Sequence, residues 1–187
     1  MAKSWGGCMS GENLKYIKVV IFDLDGTLVH LPIDYEKLRA EISSMLKIKK
    51  TSSILNILFK ISEKNRTKIF RLLDKYELDA VQNMKEIKEG MKIYSDFRDK
   101  VRCLVTLQGE LAVKEIMKKT GFSFDFVVTR EFSLDRYEQI KAIIKMFDAD
   151  PREVLFVGDK ENDKKAAEKI KCKFLLIKNV GDGRRID

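Results

Sequence analysis

The sequence predicts an α/β fold: a doubly wound, five-stranded parallel sheet with a small helical domain inserted between its first and second strands. Two observations predict it. Five short runs rich in Val, Ile, Leu and Phe show no polar alternation, which is typical of strands covered on both faces. Helical patterns separate the later runs, and an alternation of strands with helices favours a parallel sheet. The 187 residues suffice for one domain with an insert.

The five predicted strands span, in chain order, residues 17–24, 101–106, 125–129, 153–157 and 174–177. After the second strand, Leu111, Ile116 and Met117 predict one face of a helix that ends at Gly121, a residue suited to a left-handed C-cap. Two further helices carry apolar residues at helical spacing after the third and fourth strands: Ile140, Ile143, Ile144 and Phe147, and then Ala166, Ala167 and Ile170.

Residues 31–92 interrupt this alternation. They show helical patterns, the last of them at Met84, Ile87 and Met91, and no convincing strand. A connection of about 60 residues is too long for one crossover. We therefore predict that these residues form a separate helical domain above the sheet.

Positive charge is concentrated in residues 47–71 of this helical region. The segment holds eight Lys or Arg and one acid, Glu63, so it accounts for +7 of the net charge of +8. Such a run is typical of a solvated helix face, and it can also attract an anionic substrate or a nucleic acid. From the sequence, both interpretations stay open.

Composition excludes several classes of protein. A hydrophobic content of 44% with 35% charged residues indicates a globular chain rather than a disordered one. No apolar run reaches the roughly 18–20 residues of a membrane helix, and residues 1–12 lack the apolar core of a secretion signal. We therefore predict a flexible tail at 1–16, a cytoplasmic location and no membrane partner.

The three cysteines and the single histidine form no recognisable metal or nucleophile motif. Cys8, Cys103 and Cys172 have no CxxC-type spacing, so we predict reduced thiols and no structural zinc site. His30 closely follows the first strand, where it either touches a substrate or is an ordinary polar loop residue.

Acidic residues follow two of the predicted strands. Asp23 and Asp25 end the first strand, and Asp159 and Asp163 come directly after the fourth. Ligands of open α/β sheets bind outside the carboxyl ends of the strands. If the first and fourth strands are neighbours, Asp23, Asp25 and Asp159 converge, and these three carboxylates repel one another unless a hard cation lies among them. All-oxygen ligation near a phosphate favours Mg²⁺.

Three segments resemble motifs of the haloacid dehalogenase (HAD) superfamily of phosphohydrolases: VVIFDLDGTL at 19–28, Leu104-Val105-Thr106, and VGDKENDKKAA at 157–167. Within the superfamily, the chain resembles small capped phosphatases of the phosphoglycolate phosphatase kind. The resemblance implies a Rossmann-like core at 17–30 and 93–187, and a helical cap of the first type at 31–92.

The resemblance also implies roles for individual residues. Asp23 is the expected nucleophile, which forms an aspartyl-phosphate, and Asp25 is the expected general acid and base. Mg²⁺ is expected at Asp23, Asp25, Asp159 and Asp163, with Asp25 contributing its backbone carbonyl. Thr106 is expected to bind a transferring phosphoryl oxygen.

The third motif of the superfamily, a phosphate-binding Lys usually followed by Pro, has no direct counterpart. Arg136 is the best substitute, because Asp135 as N-cap and Glu138 as its capping-box partner would place it at the first position of a helix. An arginine fork suits phosphate chemically. The alternatives are Arg130, Lys141, or an Arg136 that is only a solvated residue.

These expectations point to a Mg²⁺-dependent phosphomonoesterase acting on a small anionic phosphorylated metabolite, with phosphoglycolate as the first candidate by analogy. A phosphoryl transferase such as a sugar-phosphate mutase would use the same core. From a different class, a nucleic-acid-binding or protein-binding module would use the basic helices and a degenerate site; the intact acidic residues disfavour it.

Overall fold

The computed structural model describes residues 15–49 and 53–177 and confirms the predicted fold class. Its strands are β1 (Val19–Phe22), β2 (Val29–His30), β3 (Lys85–Glu86), β4 (Val101–Val105), β5 (Phe126–Val128), β6 (Val154–Gly158) and β7 (Lys173–Leu176). Five of them form one parallel sheet in the order β5-β4-β1-β6-β7. The strand that carries the first acidic pair therefore lies beside the strand that precedes the second.

The helices are α1 (Tyr35–Leu46), α2 (Ile54–Lys60), α3 (Glu63–Val81), α4 (Lys88–Asp96), α5 (Glu110–Thr120), α6 (Arg136–Met146) and α7 (Glu161–Ile170). The first three begin at side-chain caps, in which Asp34, Ser53 and Ser62 accept a backbone N–H three residues later. Helix α5 ends at Gly121 with φ +74°, which confirms the predicted left-handed cap. No helix within the described ranges is long and apolar enough to cross a membrane.

The sheet is covered on both faces, as its apolar strands predict. Alternate residues of β1 enter two different hydrophobic clusters: Val20 and Phe22 on one face, Val19 and Ile21 on the other. Cys103 and Cys172 belong to the second face and are free, buried thiols, as predicted. The predicted roles of Cys8 and of the tail up to residue 14 lie outside the described residues.

The helical insert has a core of its own. Helices α1, α2 and α3 share a cluster of buried aliphatic side chains: Leu38, Ile42, Ile54, Leu58, Ile69 and Leu73. Helix α4 differs, because Ile93 and the following Phe97 pack into the cluster on the sheet. The insert thus buries its own apolar surface, and Glu77 of α3 accepts the N–H of Gly109 in the loop after β4.

Two details of the predicted elements are wrong. Residues 31–92 contain the strand β3, which pairs antiparallel with β2, so Met84 and Ile87 precede helix α4 instead of belonging to it. A strand of two exposed residues is too short to show a period. Leu111 is 54% exposed, since α5 buries the neighbouring Ala112 and Val113 instead.

Candidate active site

The first acidic loop is built by a tight turn at the end of β1. The N–H of Asp23 donates to the carbonyl of Val157 on β6 at 2.9 Å, and the Asp23 side chain is 1% exposed. Gly26 has φ +94°, and a Cβ at this position would overlap the carboxylate of Asp159. The glycine therefore brings the loop against the second acidic segment, as no other residue type can.

Gly26→Ala tests this close approach. We expect a loss of about 2 kcal/mol or more in the free energy of unfolding, because the new Cβ meets the Asp159 carboxylate and the backbone is held at positive φ. Gly121→Ala is the matched control: it has φ +74° with no atom within 4 Å of the new Cβ, so it carries the backbone cost alone. Equal losses in urea denaturation of the two variants would contradict the proposed contact.

Asp25 is bonded to the segment that follows its own turn. Its Oδ1 accepts the N–H of Leu31 at 2.8 Å, and its side chain is buried. Burial raises the pKa of Asp25 above its ordinary value, although the charge of Lys160 opposes this. A buried carboxyl group with a raised pKa holds a proton more readily than an exposed one, which suits a general acid. His30 is exposed on β2, and its charge acts to lower the same pKa.

Three carboxylates converge where β1 and β6 end. Asp23, Asp159 and Asp163 each offer one oxygen, and these oxygens lie within 4.8 Å of one another. In the described part of the chain, Asp23 Oδ2 and Asp159 Oδ1 are buried and have no hydrogen-bond partner. Burial raises the pKa of Asp159 to about 7, and the neighbouring carboxylates add to the effect. Three hard oxygen donors, two of them unsatisfied, fit a divalent cation such as Mg²⁺.

Arg136 joins this cluster from the start of α6. Its Nη2 donates to Asp23 Oδ1 at 2.7 Å and its Nε to Asp163 Oδ1 at 2.9 Å, while Nη1 donates to Gln139 Oε1 at 2.9 Å. Burial lowers the pKa of Arg136, but the two carboxylates outweigh it and hold the pKa above its ordinary value. The guanidinium is therefore a fixed positive charge against Asp23.

The predicted helix start is correct, but its predicted capping box is wrong. Asp135 is the N-cap and accepts the N–H of Tyr137 at 2.9 Å, which leaves Arg136 as the first helical residue. The N–H of Asp135 donates to Ser133 Oγ at 3.1 Å, the position the capping box assigns to Glu138. Ser133 therefore accepts the Asp135 N–H that the capping box would have paired with Glu138.

Of the three cations considered from the sequence, Arg136 is the one that contacts Asp23. The Arg130 side chain is buried in ion pairs with Asp74 and Glu77. Lys141 is exposed and lies 3.7 Å from Glu138 on its own helix.

Thr106 lies at the end of β4, next to β1 in the sheet. Its hydroxyl donates to Gln108 Oε1, and its N–H donates to the carbonyl of Val128 at 2.9 Å. The carbonyl of Thr106 accepts Gln139 Nε2 at 2.8 Å, and the other end of the same amide accepts Arg136. A chain of hydrogen bonds thus joins Thr106 to the acidic cluster.

Sequence reasoning missed two residues beside the cluster. Lys160, the N-cap of α7, donates from Nζ to the carbonyl of Asp25 at 3.5 Å. Burial lowers the pKa of Lys160, but surrounding aspartates, Asp23 first, outweigh it and raise the pKa above its ordinary value. The sequence does offer a sign of it, because Lys160 is the one basic residue within the acidic segment 158–163.

The other missed residue is Tyr35, which begins helix α1 of the insert. Burial raises the pKa of Tyr35 well above its ordinary value, and the charges of Asp25, Glu77 and Asp23 add to the effect. The insert therefore brings a side chain within electrostatic range of Asp23 and Asp25. Nothing in the local sequence marks this tyrosine.

Comparisons with known proteins agree with this geometry. The Hydrolase_like family, described as HAD-hydrolase-like, matches residues 137–185. An uncharacterized hydrolase of Saccharomyces cerevisiae is 28% identical over 184 residues, which cover 92% of this chain and 82% of the yeast protein.

Two solved structures share the fold. A predicted phosphoglycolate phosphatase of Haemophilus somnus has a TM-score of 0.60 at 20% identity, covering 85% of this chain and 84% of that one. A HAD family enzyme of Bacteroides thetaiotaomicron, in complex with magnesium and inorganic phosphate, has a TM-score of 0.59 at 18% identity, covering 89% and 97%. The motifs, the sheet order and these matches agree, and the chain is similar to hydrolases of the HAD-like superfamily.

Proposed function

We propose that this hydrolase is a Mg²⁺-dependent phosphomonoesterase that acts on a small phosphorylated metabolite through an aspartyl-phosphate. The observation that carries the proposal is that the two carboxylate oxygens of Asp23 have different surroundings. One of its carboxylate oxygens is held by Arg136, while the other is buried among acids and has no partner in the described residues.

Asp23 is the proposed nucleophile. An oxygen of its carboxylate forms a bond to phosphorus as the ester oxygen leaves, so one difficult displacement becomes two easier ones. Arg136 holds the carboxylate in one orientation, which favours an in-line approach. The second displacement, by water on the same phosphorus, releases phosphate and restores the free carboxylate.

Asp25 is the proposed general acid and base. Its buried carboxyl group has a raised pKa, which favours the protonated form needed to give a proton to the departing alkoxide. The resulting carboxylate then takes a proton from the attacking water. Its hydrogen bond from Leu31 fixes the side chain for both transfers.

Mg²⁺ is proposed to bind Asp23 and Asp159, with Asp163 in or just behind its coordination sphere and the Asp25 carbonyl nearby. Bound there, the cation would neutralise charge on the phosphoryl oxygens. Arg136, Lys160 and the Thr106 hydroxyl are proposed to bind the same oxygens. Lys160 and Arg136 also offset the repulsion among the acids.

A panel of phosphomonoesters tests the proposal. It should contain 2-phosphoglycolate, because a structural relative carries that name, together with sugar phosphates, nucleoside monophosphates and p-nitrophenyl phosphate. We expect phosphate release that requires Mg²⁺ and stops with a chelator. Sugar phosphates recovered as isomers would instead indicate a mutase, and a folded protein that releases phosphate from no ester would contradict the proposal.

The binding of Mg²⁺ should depend on pH. Burial raises the pKa of Asp159 to about 7, so below that pH the cation must displace a proton from this carboxyl group. We expect Mg²⁺ to bind about tenfold more weakly at pH 6 than at pH 8, measured by calorimetry.

The same shift predicts the stability of the metal-free protein. Between the unfolded and folded pKa values of Asp159, the folded state holds the extra proton, so stability falls as pH rises from about 4 to about 7. Mg²⁺ should therefore raise the melting temperature more at pH 8 than at pH 6. Equal shifts at the two pH values, or an unchanged profile in Asp159→Asn, would contradict this assignment.

A further inference from the structure

The loop that follows Thr106 is held by groups outside it. In the peptide that joins Leu107 to Gln108, the carbonyl accepts Arg130 Nη1 at 3.3 Å. The N–H of the same peptide donates to Thr106 Oγ1 at 3.2 Å. Both ends of this peptide are therefore fixed, and one of the two bonds reaches the hydroxyl of Thr106.

The next peptide, which joins Gln108 to Gly109, is held in the same way. Its carbonyl accepts the N–H of Arg130 at 3.5 Å, and its N–H donates to Glu77 Oε2 at 3.0 Å. Glu77 belongs to α3, so a helix of the insert directly supports the loop. Gly109 also leaves no room for a side chain, since a Cβ there would overlap the Arg130 guanidinium.

Arg130 and Glu77 are themselves bound to each other. Arg130 donates from Nη1 to Glu77 and from Nη2 to Asp74, and it also donates from Nη2 to the carbonyl of Phe70 at 3.4 Å. The Arg130 side chain is 0% exposed, and that of Glu77 is 4% exposed. A buried ion pair of this kind is weak evidence for stability, because apolar residues of similar size often replace it without loss.

We propose that Glu77 and Arg130 are positioning residues that hold the loop 107–109, and through it the hydroxyl of Thr106, in the geometry required for phosphoryl transfer. The proposal rests on the proposed function. Its basis is that their side chains bond to both peptides of the loop 107–109, which a purely structural ion pair does not need to do. Through Glu77, the insert thereby shapes the phosphate-binding side of the site.

Three variants separate positioning from stability: Arg130→Met, Glu77→Met and the double variant. Arg130→Met leaves Asp74 and Glu77 without their cation, so we expect a lower melting temperature and a kcat reduced about 10- to 100-fold. The double variant exchanges the buried pair for apolar side chains, so the melting temperature should return towards that of the wild type. Its kcat should stay low, because the loop still lacks both side-chain anchors, the Arg130 guanidinium and the Glu77 carboxylate.

Arg152→Met is the matched control, since Arg152 is an exposed arginine paired with Asp150 away from the site. A double variant with kcat within about threefold of the wild type would overturn the proposal, because the pair would then act through stability alone.

Hydrogen exchange gives a readout that does not need activity. We expect the amide of Gly109 to exchange at least tenfold faster in Glu77→Met and in the double variant, while the amide of Asp23, bonded to Val157, keeps its rate. Unchanged exchange at Gly109 would overturn the positioning role. A wild-type protein that hydrolyses no phosphomonoester would overturn the proposed function, and the exchange rates would still decide whether Glu77 holds the loop.

Discussion

Asp23→Asn should reduce phosphate release by at least about a thousandfold, because the amide cannot attack phosphorus. The fold should be retained, since the amide oxygen of asparagine can still accept the hydrogen bond from Arg136. Steady-state release of phosphate from the best substrate of the panel, with saturating Mg²⁺, measures the effect. Circular dichroism and the melting temperature check the fold.

Asp150→Asn is the matched control for this variant. Asp150 is an aspartate paired with Arg152 near the other end of β6, and its replacement should leave the rate unchanged. Substantial activity in Asp23→Asn, within about tenfold of the wild type, would mean that water attacks the substrate directly and that Asp23 serves only the cation.

Arg136→Met should lower kcat about 100- to 1000-fold, because it removes the guanidinium that we propose to stabilise charge on the transferring phosphoryl group. It should also lower the free energy of unfolding by about 3–5 kcal/mol, since Asp23 and Asp163 lose a buried partner. Arg136→Lys keeps one positive charge and should recover part of both losses, but a single ammonium cannot reproduce the fork between two carboxylates.

Kinetics and urea denaturation of these variants, with Arg152→Met as the exposed control, measure the two effects separately. An Arg136→Met variant that loses stability but keeps kcat within about threefold of the wild type would show that Arg136 only offsets the buried acids. The phosphate would then need another cation, and Lys160 is the neighbouring candidate.

The sheet could be predicted because its strands are apolar on both faces. A buried parallel strand such as β1 must be apolar throughout, and this leaves a pattern that local sequence shows. The two-residue strands β2 and β3 leave none, because their pairing depends on the path of the whole insert. Leu111 was wrongly predicted to be on the buried face of α5. That face contains Ala112, and an alanine indicates burial less clearly than a larger apolar residue does.

The convergence of the acids could also be predicted. Asp23 follows β1 and Asp159 follows β6, and the carboxyl ends of neighbouring parallel strands meet at one edge of the sheet. The contacts of Glu77 and Arg130 with the loop after Thr106 could not be predicted. Glu77 and Arg130 are 53 positions apart, and neither lies in a motif, so only the packing of α3 against the loops shows that they meet.

The most direct test of the account is the detection of a phosphorylated Asp23. The Asp25→Asn variant should be mixed with p-nitrophenyl phosphate and Mg²⁺, because this leaving group needs no general acid whereas the second displacement still needs a base. We expect a burst of one p-nitrophenolate per protein molecule and a phosphoryl group on Asp23 in the mass spectrum. Steady turnover by the wild type, with neither a burst nor a modified Asp23 in the variant, would contradict the aspartyl-phosphate mechanism.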